Sequence, residues 1–544
     1  MAMDPILFWS DVALEAHRRD YTFDDDRGDD ETGTPMDRQT LMPMQGGPTR
    51  TSRALAIIYL AMYDALHAVS PISVKGPVED MLLQPYLAGL PVAPAGASAE
   101  AAVAGAAATA IQLLFGGTIA DQKLTEFRLM LLDPAAPGAP STTAAVNDGL
   151  AFGSRVGRLH VDSRAADGSQ LGESGYRPMP VRGAFKPDPY APEQSILGVT
   201  WGKVTPFGGY APAAIEAGFV PPLGQGAIGA YLNTPGWPAE LQEVKEFGAA
   251  FGTAGLKRTP EQTLIGVFWG YDGVRNLGVP PRLYTQCLAA ISEKAGLSAA
   301  QNAVLFAAAN LAMADAGIAA WEEKYKFHVA RPVTGVREAD LGFGPDLQVG
   351  AKPRASAPTF PNSALPTDTA NQAPIYAWLN DSPPAPASLQ TGDAHWAPLG
   401  APQTNTKTRL SGKGLDSRTP PFPAYPSGHA TFGTVTFEVA RRLLKKFGIA
   451  SVETFTFEVV SDEYDGKQCD PDGSIRPLHR RTLTLAQAVH ENAVSRVYLG
   501  VHWRMDAVEG IRLGLDLVEK IADIGKGPAA ALQSVDAPAP APAL

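Results

Sequence analysis

Cysteine is nearly absent from this 544-residue chain, which carries only Cys287 and Cys469. A disulfide framework is therefore excluded, and neither residue has the spacing of a metal-binding CxxC pair. Whether the two pair with each other stays open at this level. Basic residues are outnumbered: 45 Lys and Arg face 56 Asp and Glu, a net charge of −11. That balance argues against nucleic acid as a partner, because phosphate neutralisation needs clustered cations. The N-terminus, MAMDPILFWSDVALEAHRRD, lacks the basic n-region and long apolar h-region of a signal peptide. The weakly polar run Ala101 to Phe115 is alanine-rich and too short to cross a bilayer comfortably. These absences predict a soluble protein, cytoplasmic rather than secreted, with no membrane partner.

What the chain does have is helical periodicity. Ser52 to Val69 places apolar residues at i, i+3 and i+4, and Ala97 to Leu114 and Thr142 to Arg158 continue the pattern. From Gly168 to Gln242 the composition turns to Gly, Pro and turn residues. Helical signal returns at Pro260 to Trp269, Pro281 to Ala295 and Ser298 to Val329. A proline-rich stretch from Gly342 to Pro426 precedes two more helices, Ser427 to Phe447 and Thr484 to Ile524. The division this suggests is an N-terminal helical half with long loops (1–250), a C-terminal catalytic helical bundle (251–525), and a Pro/Ala-rich flexible tail (526–544). Asp24 to Glu31 (DDDRGDDE) reads as a solvated acidic loop, with a cation site as the alternative.

In an acidic chain, three short segments stand out because they gather cations beside histidines. The first is KYKFHVARP, Lys324 to Pro332. Lys324 and Arg331 are seven residues apart, so one helix face can present both, and Pro332 predicts where that helix stops. The second is PSGH, Pro426 to His429. Ser427 is a candidate N-cap, Gly428 lets backbone N–H groups approach a ligand, and a helix N-terminus is a ready anion site. His429 then lies where an acid or base is useful. The third is SRVYLGVHWRMD, Ser495 to Asp506. His502 and Asp506 are i, i+4, so the carboxylate can accept from Nδ1–H and aim Nε2 of His502 outward. Together with Arg496, the set suits a tetrahedral or trigonal-bipyramidal oxyanion with a histidine in line with its centre.

The ordered pattern KxxxxxxRP, PSGH, SRxxxxxHxxxD resembles that of the superfamily joining type-2 phosphatidic acid phosphatases, bacterial acid phosphatases and vanadium-dependent haloperoxidases. Three features favour the haloperoxidases. There are 93 residues between Pro332 and Pro426 and 65 between His429 and Ser495, whereas the compact phosphatases have shorter gaps. More than 300 residues precede the first motif, as in fungal-type chloroperoxidases and their bacterial relatives. The segments DPILFWSDVALEAHR, FWGYDG (Phe268 to Gly273) and TPPFPAYPSGHATFG (Thr419 to Gly433) are similar to that group.

The resemblance implies a mainly α fold of two helical bundles, the C-terminal four-helix-type bundle carrying a vanadate/phosphate site. It implies vanadate (V5+) as cofactor. His502 would be the axial vanadium ligand; Lys324, Arg331, Arg496, Ser427 and the Gly428 amide would hold the oxyanion; His429 would move protons. Asp506 would support His502, and Asp272 would support the anion-binding shell. Trp321 and Phe422 match the aromatic halide surroundings of chloroperoxidase-type sites, and algal bromoperoxidases tend to carry a histidine at the latter position. Ala330 and His328 depart from the fungal pattern, which puts the halide in doubt: bromide oxidation is expected and chloride is left open. The implied partners are hydrogen peroxide, a halide ion and a small organic acceptor, with a homo-oligomer as an open expectation. The alternative is a soluble acid phosphatase with His502 as nucleophile and His429 as general acid; a non-catalytic phosphate binder is the third reading.

Overall fold

The computed structural model describes residues 4–22, 43–75, 80–133, 142–172, 176–189, 195–210, 228–233, 237–273, 277–338, 393, 395–400, 419–468 and 474–533. The acidic loop, Cys469, most of the stretch between Gly342 and Pro426, and the terminal APAPAPAL lie outside them.

The N-terminal half is built from α1 (Pro5–Thr22), α2 (Gly47–Val69), α3 (Ala99–Phe115), α4 (Ile119–Leu132) and α5 (Thr143–Ser163). Its closest pairing, α3 on α5, follows from composition. Gly149, Gly153 and Gly157 recur every four residues along one face of α5, opposite the alanines of α3. A Cβ added at Gly153 would lie 1.9 Å from the Ala102 carbonyl oxygen, so backbone meets backbone there. After this half come α6 (Trp237–Phe247), α7 (Pro260–Phe268) and α8 (Pro280–Ala295).

The C-terminal bundle comprises α9 (Ala299–Phe327), α11 (Gly428–Lys446), α12 (Leu485–Tyr498) and α13 (Arg504–Ile524), with the short α10 (Pro332–Arg337) between the first two. Helix α9 begins with a capping box in which the Ser298 side chain accepts from Gln301 N and the Gln301 side chain accepts from Ser298 N. By length and composition α9 could cross a membrane, yet its most apolar window is wholly buried inside the protein. It packs on α2 of the first half and on α11 and α13 of the second. One apolar cluster accordingly runs from Ile6 to Leu532 across both halves.

Besides short 3-10 turns there are two antiparallel pairs among the described residues: β1 (Ser73–Val74) with β2 (Met81–Leu82), and β3 (Thr456–Val460) with β4 (Arg480–Thr484) in the register Glu458 to Thr482.

The mainly α architecture matches the sequence expectation, with local differences. The helix read from Thr484 to Ile524 is two helices, because Gly500 takes φ 70° and a Cβ there would lie 2.3 Å from the Gly248 carbonyl oxygen. Helix α9 stops at Phe327 rather than at Pro332: His328 adopts a left-handed φ of 51° and its N–H caps the Lys324 carbonyl. Pro332 instead opens α10, where the missing N–H costs nothing. Helices α1, α4, α6 and α10 and both β pairs were not anticipated. Within the stretch expected as a flexible tail from residue 526, Gly527–Leu532 forms a 3-10 helix with Ala529, Ala531 and Leu532 buried, and residues 534–544 lie outside the described residues.

Candidate active site

The three sequence motifs meet at one end of the C-terminal bundle. Helix α13 brings them together by running close to the start of α11: a Cβ at Gly510 would lie 2.6 Å from the Ser427 carbonyl oxygen. The Ser427 N–H donates to the Asp506 carbonyl at 2.8 Å, tying the PSGH turn to the His–Asp segment. Lys324, Arg331, Ser427, Arg496 and Asp506 are each 0% exposed. His502 is buried beside them, and His429 and Phe422 lie nearest the surface.

His502 is oriented from both sides. Its Nε2 lies 2.8 Å from Arg331 Nη1, which can only donate, so Nε2 accepts. Nδ1 therefore carries the proton and donates to Asp506 Oδ2 at 2.9 Å. The same carboxylate oxygen accepts from Trp503 N at 3.0 Å, capping α13. His502 and Asp506 are thus neighbours through a helix N-terminal cap, not along a helix face as their spacing suggested. Lys324 and Arg331 likewise do not share a face: Lys324 belongs to the last turn of α9 and Arg331 is the N-cap of α10.

The loop 419–426 wraps these cations. Prolines at 420, 421, 423 and 426 lack N–H groups, so this loop presents carbonyls with few competing donors. Lys324 Nζ donates to the Pro423 carbonyl at 3.0 Å, to Ala424 at 2.9 Å and to Pro426. Arg331 Nε donates to the Phe422 carbonyl at 2.9 Å and Nη1 to Val501 at 2.8 Å. Arg496 Nη2 donates to both oxygens of Asp272, at 2.9 and 2.8 Å. Asp272, expected to support the anion-binding shell, is bound directly to Arg496.

Three guanidinium nitrogens, Arg331 Nη2, Arg496 Nε and Arg496 Nη1, are buried and have no acceptor among the described residues. Buried donors in that condition are costly, and an oxyanion would satisfy them. The field of the cluster has the same sense. Burial pushes the His502 imidazole well below its ordinary range, followed by the charges of Arg331, Lys324 and Arg496. His429 is likewise pushed down by burial and then by Arg496. Burial lowers Arg331 to about 9, still protonated at neutral pH. It raises Asp506 to about 7, against the pull of the Trp503 N–H, Lys324 and Arg331.

His429 follows Ser427 and Gly428 in the first turn of α11. Ser427 Oγ accepts from Ala430 N at 3.4 Å as the N-cap, leaving its own proton available. His429 Nε2 lies 2.9 Å from the Gly270 carbonyl and must be its donor, so Nδ1 is the nitrogen with the lone pair. Sequence reasoning missed the groups that fix this turn. The His429 carbonyl accepts from Asn492 Nδ2 at 2.7 Å and from Tyr284 OH at 3.1 Å. Asn492 sits four residues before Arg496 and so shares its face of α12, a signal that spacing could have supplied.

Trp321 and Phe422 do come together, with ring centroids 4.7 Å apart. Lys324 Nζ lies 5.4 Å from the Trp321 ring and 5.3 Å from the Phe422 ring, and Arg331 Cζ lies 5.0 Å from the latter. His328 stacks on Tyr176 and shares a 3.2 Å hydrogen bond with its hydroxyl. The Ala330 carbonyl accepts from Trp503 Nε1 at 2.8 Å. His395 is exposed and His479 half-buried, away from this cluster.

Proteins of similar sequence and fold point the same way. Residues 2–197 match the model of the vanadium chloroperoxidase N-terminal domain, and residues 304–526 match that of the VCPO second helical-bundle domain. The chain is 28% identical over 568 residues to the vanadium chloroperoxidase of Curvularia inaequalis, covering 92% of this chain and 79% of the fungal protein. It shares its fold with a bacterial vanadium-dependent iodoperoxidase, at a TM-score of 0.61 and 19% identity, covering 96% of this chain and 97% of the other. A holo-type bacterial vanadium-dependent chloroperoxidase superposes with a TM-score of 0.57 at 15% identity, over 94% and 100% of the two chains. With both vanadium chloroperoxidase domain models matched, and with the cation cluster inside the second match assembled around His502, the chain belongs to the vanadium-dependent haloperoxidases.

Proposed function

We propose that the protein holds vanadate and uses hydrogen peroxide to oxidise bromide, with chloride as a second halide, for halogenation of small organic acceptors. The observation that carries this reading is the set of three guanidinium nitrogens of Arg331 and Arg496 without an acceptor among the described residues, beside a histidine whose Nε2 is held unprotonated. When bound, vanadate would supply a Lewis acid that activates peroxide without changing its own oxidation state.

The chain's residues divide the remaining work. His502 Nε2, freed from Arg331 Nη1, would be the nitrogen that holds the vanadate, while Asp506 keeps the proton on Nδ1. Arg331, Arg496, the Ser427 hydroxyl and the Gly428 amide would hold the oxyanion. Lys324 already spends its donors on three carbonyls, so it would act through charge or release one of them. The net reaction joins halide, hydrogen peroxide and one proton to give hypohalous acid and water; the halide loses two electrons and the O–O bond gains them. His429 Nδ1 would take a proton from incoming peroxide and return one to the departing oxygen. Trp321 and Phe422 would give the halide an apolar wall backed by the Lys324 charge.

The test is halogenation of a dimedone-type acceptor by vanadate-stripped protein with peroxide and bromide, before and after orthovanadate, with phosphate as competitor. Activity that needs vanadate and fades with phosphate is expected, and chloride in place of bromide sets the halide range. No halogenation, alongside hydrolysis of a nitrophenyl phosphate ester, would move the assignment to an acid phosphatase with His502 as nucleophile.

A further inference from the structure

The segment that leaves α7 does two jobs within three residues. The Gly270 carbonyl accepts from His429 Nε2, and the Asp272 carboxylate accepts from Arg496 Nη2. Between them stands Tyr271, whose φ of 44° is left-handed, a conformation that a bulky side chain rarely adopts. Such strain persists only where the surroundings over-determine it. Here they do so through the phenol. Tyr271 OH accepts from Asp462 N at 2.8 Å and donates to Gln286 Oε1 at 3.2 Å. Gln286 Nε2 donates in turn to Asp462 Oδ2 at 3.1 Å, and Asp462 is also ion-paired with Arg282. The turn's entry is held as well, because Ser461 Oγ donates to the Phe268 carbonyl at 2.7 Å. Every one of these anchors lies outside the anion cluster, on α8 and on the segment after β3.

We infer that Tyr271 is a positioning residue: its pinned left-handed turn aims the Gly270 carbonyl at His429 and the Asp272 carboxylate at Arg496. It thereby selects which nitrogen of His429 is protonated and directs the free N–H groups of Arg496. The His429 half of this inference rests on the haloperoxidase reading, whereas the Arg496 half needs only that the cluster binds an oxyanion.

The test is Tyr271→Phe in the full chain, which keeps the ring and removes the hydroxyl. Orthophosphate affinity of the vanadate-free protein, measured by calorimetry, should weaken about fivefold, as for the loss of one net hydrogen bond. The kcat for bromide oxidation should fall while KM for bromide stays as in the wild type. A residue that merely packs would lower the thermal midpoint without producing this split. A folded Tyr271→Phe with unchanged phosphate affinity and unchanged kcat overturns the inference. Should that variant not fold, Gln286→Leu removes the hydroxyl's acceptor from outside the turn, and the same two outcomes apply to it. A wild-type protein without vanadate-dependent bromination would sink the functional reading alone; the phosphate measurement would still decide the role of Tyr271.

Discussion

His502 Nδ1 donates to Asp506 Oδ2 at 2.9 Å, and the oxygen that receives it also caps α13 through the Trp503 N–H. One carboxylate therefore fixes both the histidine and the helix that carries it into the site. Asp506→Asn should retain the cap, because an amide oxygen also accepts, but weaken control of the His502 tautomer. Vanadate affinity should fall by about 10- to 100-fold, as for other partners of metal-ligating histidines. Titration of the stripped protein with orthovanadate checks this, and His502→Ala should abolish vanadate-dependent turnover with the fold kept.

His429→Ala removes the nitrogen left with a lone pair by the Gly270 bond. Turnover should drop by about 100-fold or more, a usual size for a lost general acid or base. Chloride should suffer more than bromide, being the harder halide to oxidise. A pH–rate profile unchanged in shape would remove His429 from proton transfer.

Phe422 closes the wall over Lys324 and Arg331. Phe422→His replaces apolar surface with a group that draws water toward the cations, so the chloride-to-bromide ratio of kcat/KM should decrease. A ratio equal to that of the wild type would assign Phe422 to packing only.

Two glycines separate stability from activity. Gly153→Ala and Gly510→Ala both force a Cβ against a carbonyl, of Ala102 and Ser427 respectively. Each should cost about 1–3 kcal/mol by overpacking. Only Gly510→Ala should also lower kcat and vanadate affinity, because only its carbonyl belongs to the PSGH turn. Thermal unfolding and turnover of the pair provide the comparison.

His17 is fully buried with neither ring nitrogen hydrogen-bonded among the described residues. Burial, then Arg282, pushes it well below the ordinary imidazole range. The unfolded chain takes up a proton near its usual value that the folded chain refuses. This group's stability is thus complete above about pH 6.5 and is lost as pH falls, at up to about 1.4 kcal/mol per pH unit. His17→Phe should therefore gain on the wild type at pH 5 relative to pH 8 in denaturant titrations. A constant difference across that range would exclude the titration.

Much of the site was legible because its residues fall in short ordered motifs whose chemistry is local: cation before proline, hydroxyl before glycine, histidine before carboxylate. The physical route from spacing to contact was less legible. His502 and Asp506 meet through a cap, and Lys324 and Arg331 meet across a helix break at His328, where a non-glycine residue is left-handed. No periodicity announces that. Tyr284 and Asn492 escaped notice, and Tyr271 was read only as part of FWGYDG, because what these side chains do lies in what they hold. Helix α4 was missed for a related reason: it buries only Ile119, Ala120 and Phe127, too narrow a stripe for a periodic signal.

Helix α9 is apolar around most of its circumference and is enclosed by α2 on one flank and by α11 and α13 on others. During synthesis these neighbours do not arrive together. The wall contributed by α2 has already left the ribosome when α9 emerges, while the walls contributed by α11 and α13 have yet to be translated. The nascent chain therefore exposes a membrane-like rod along one side until its C-terminal third is complete. Truncation ahead of α11 leaves that side bare for good, so α11 and α13 together cover this long apolar helix, and α13 carries Asp506 as well.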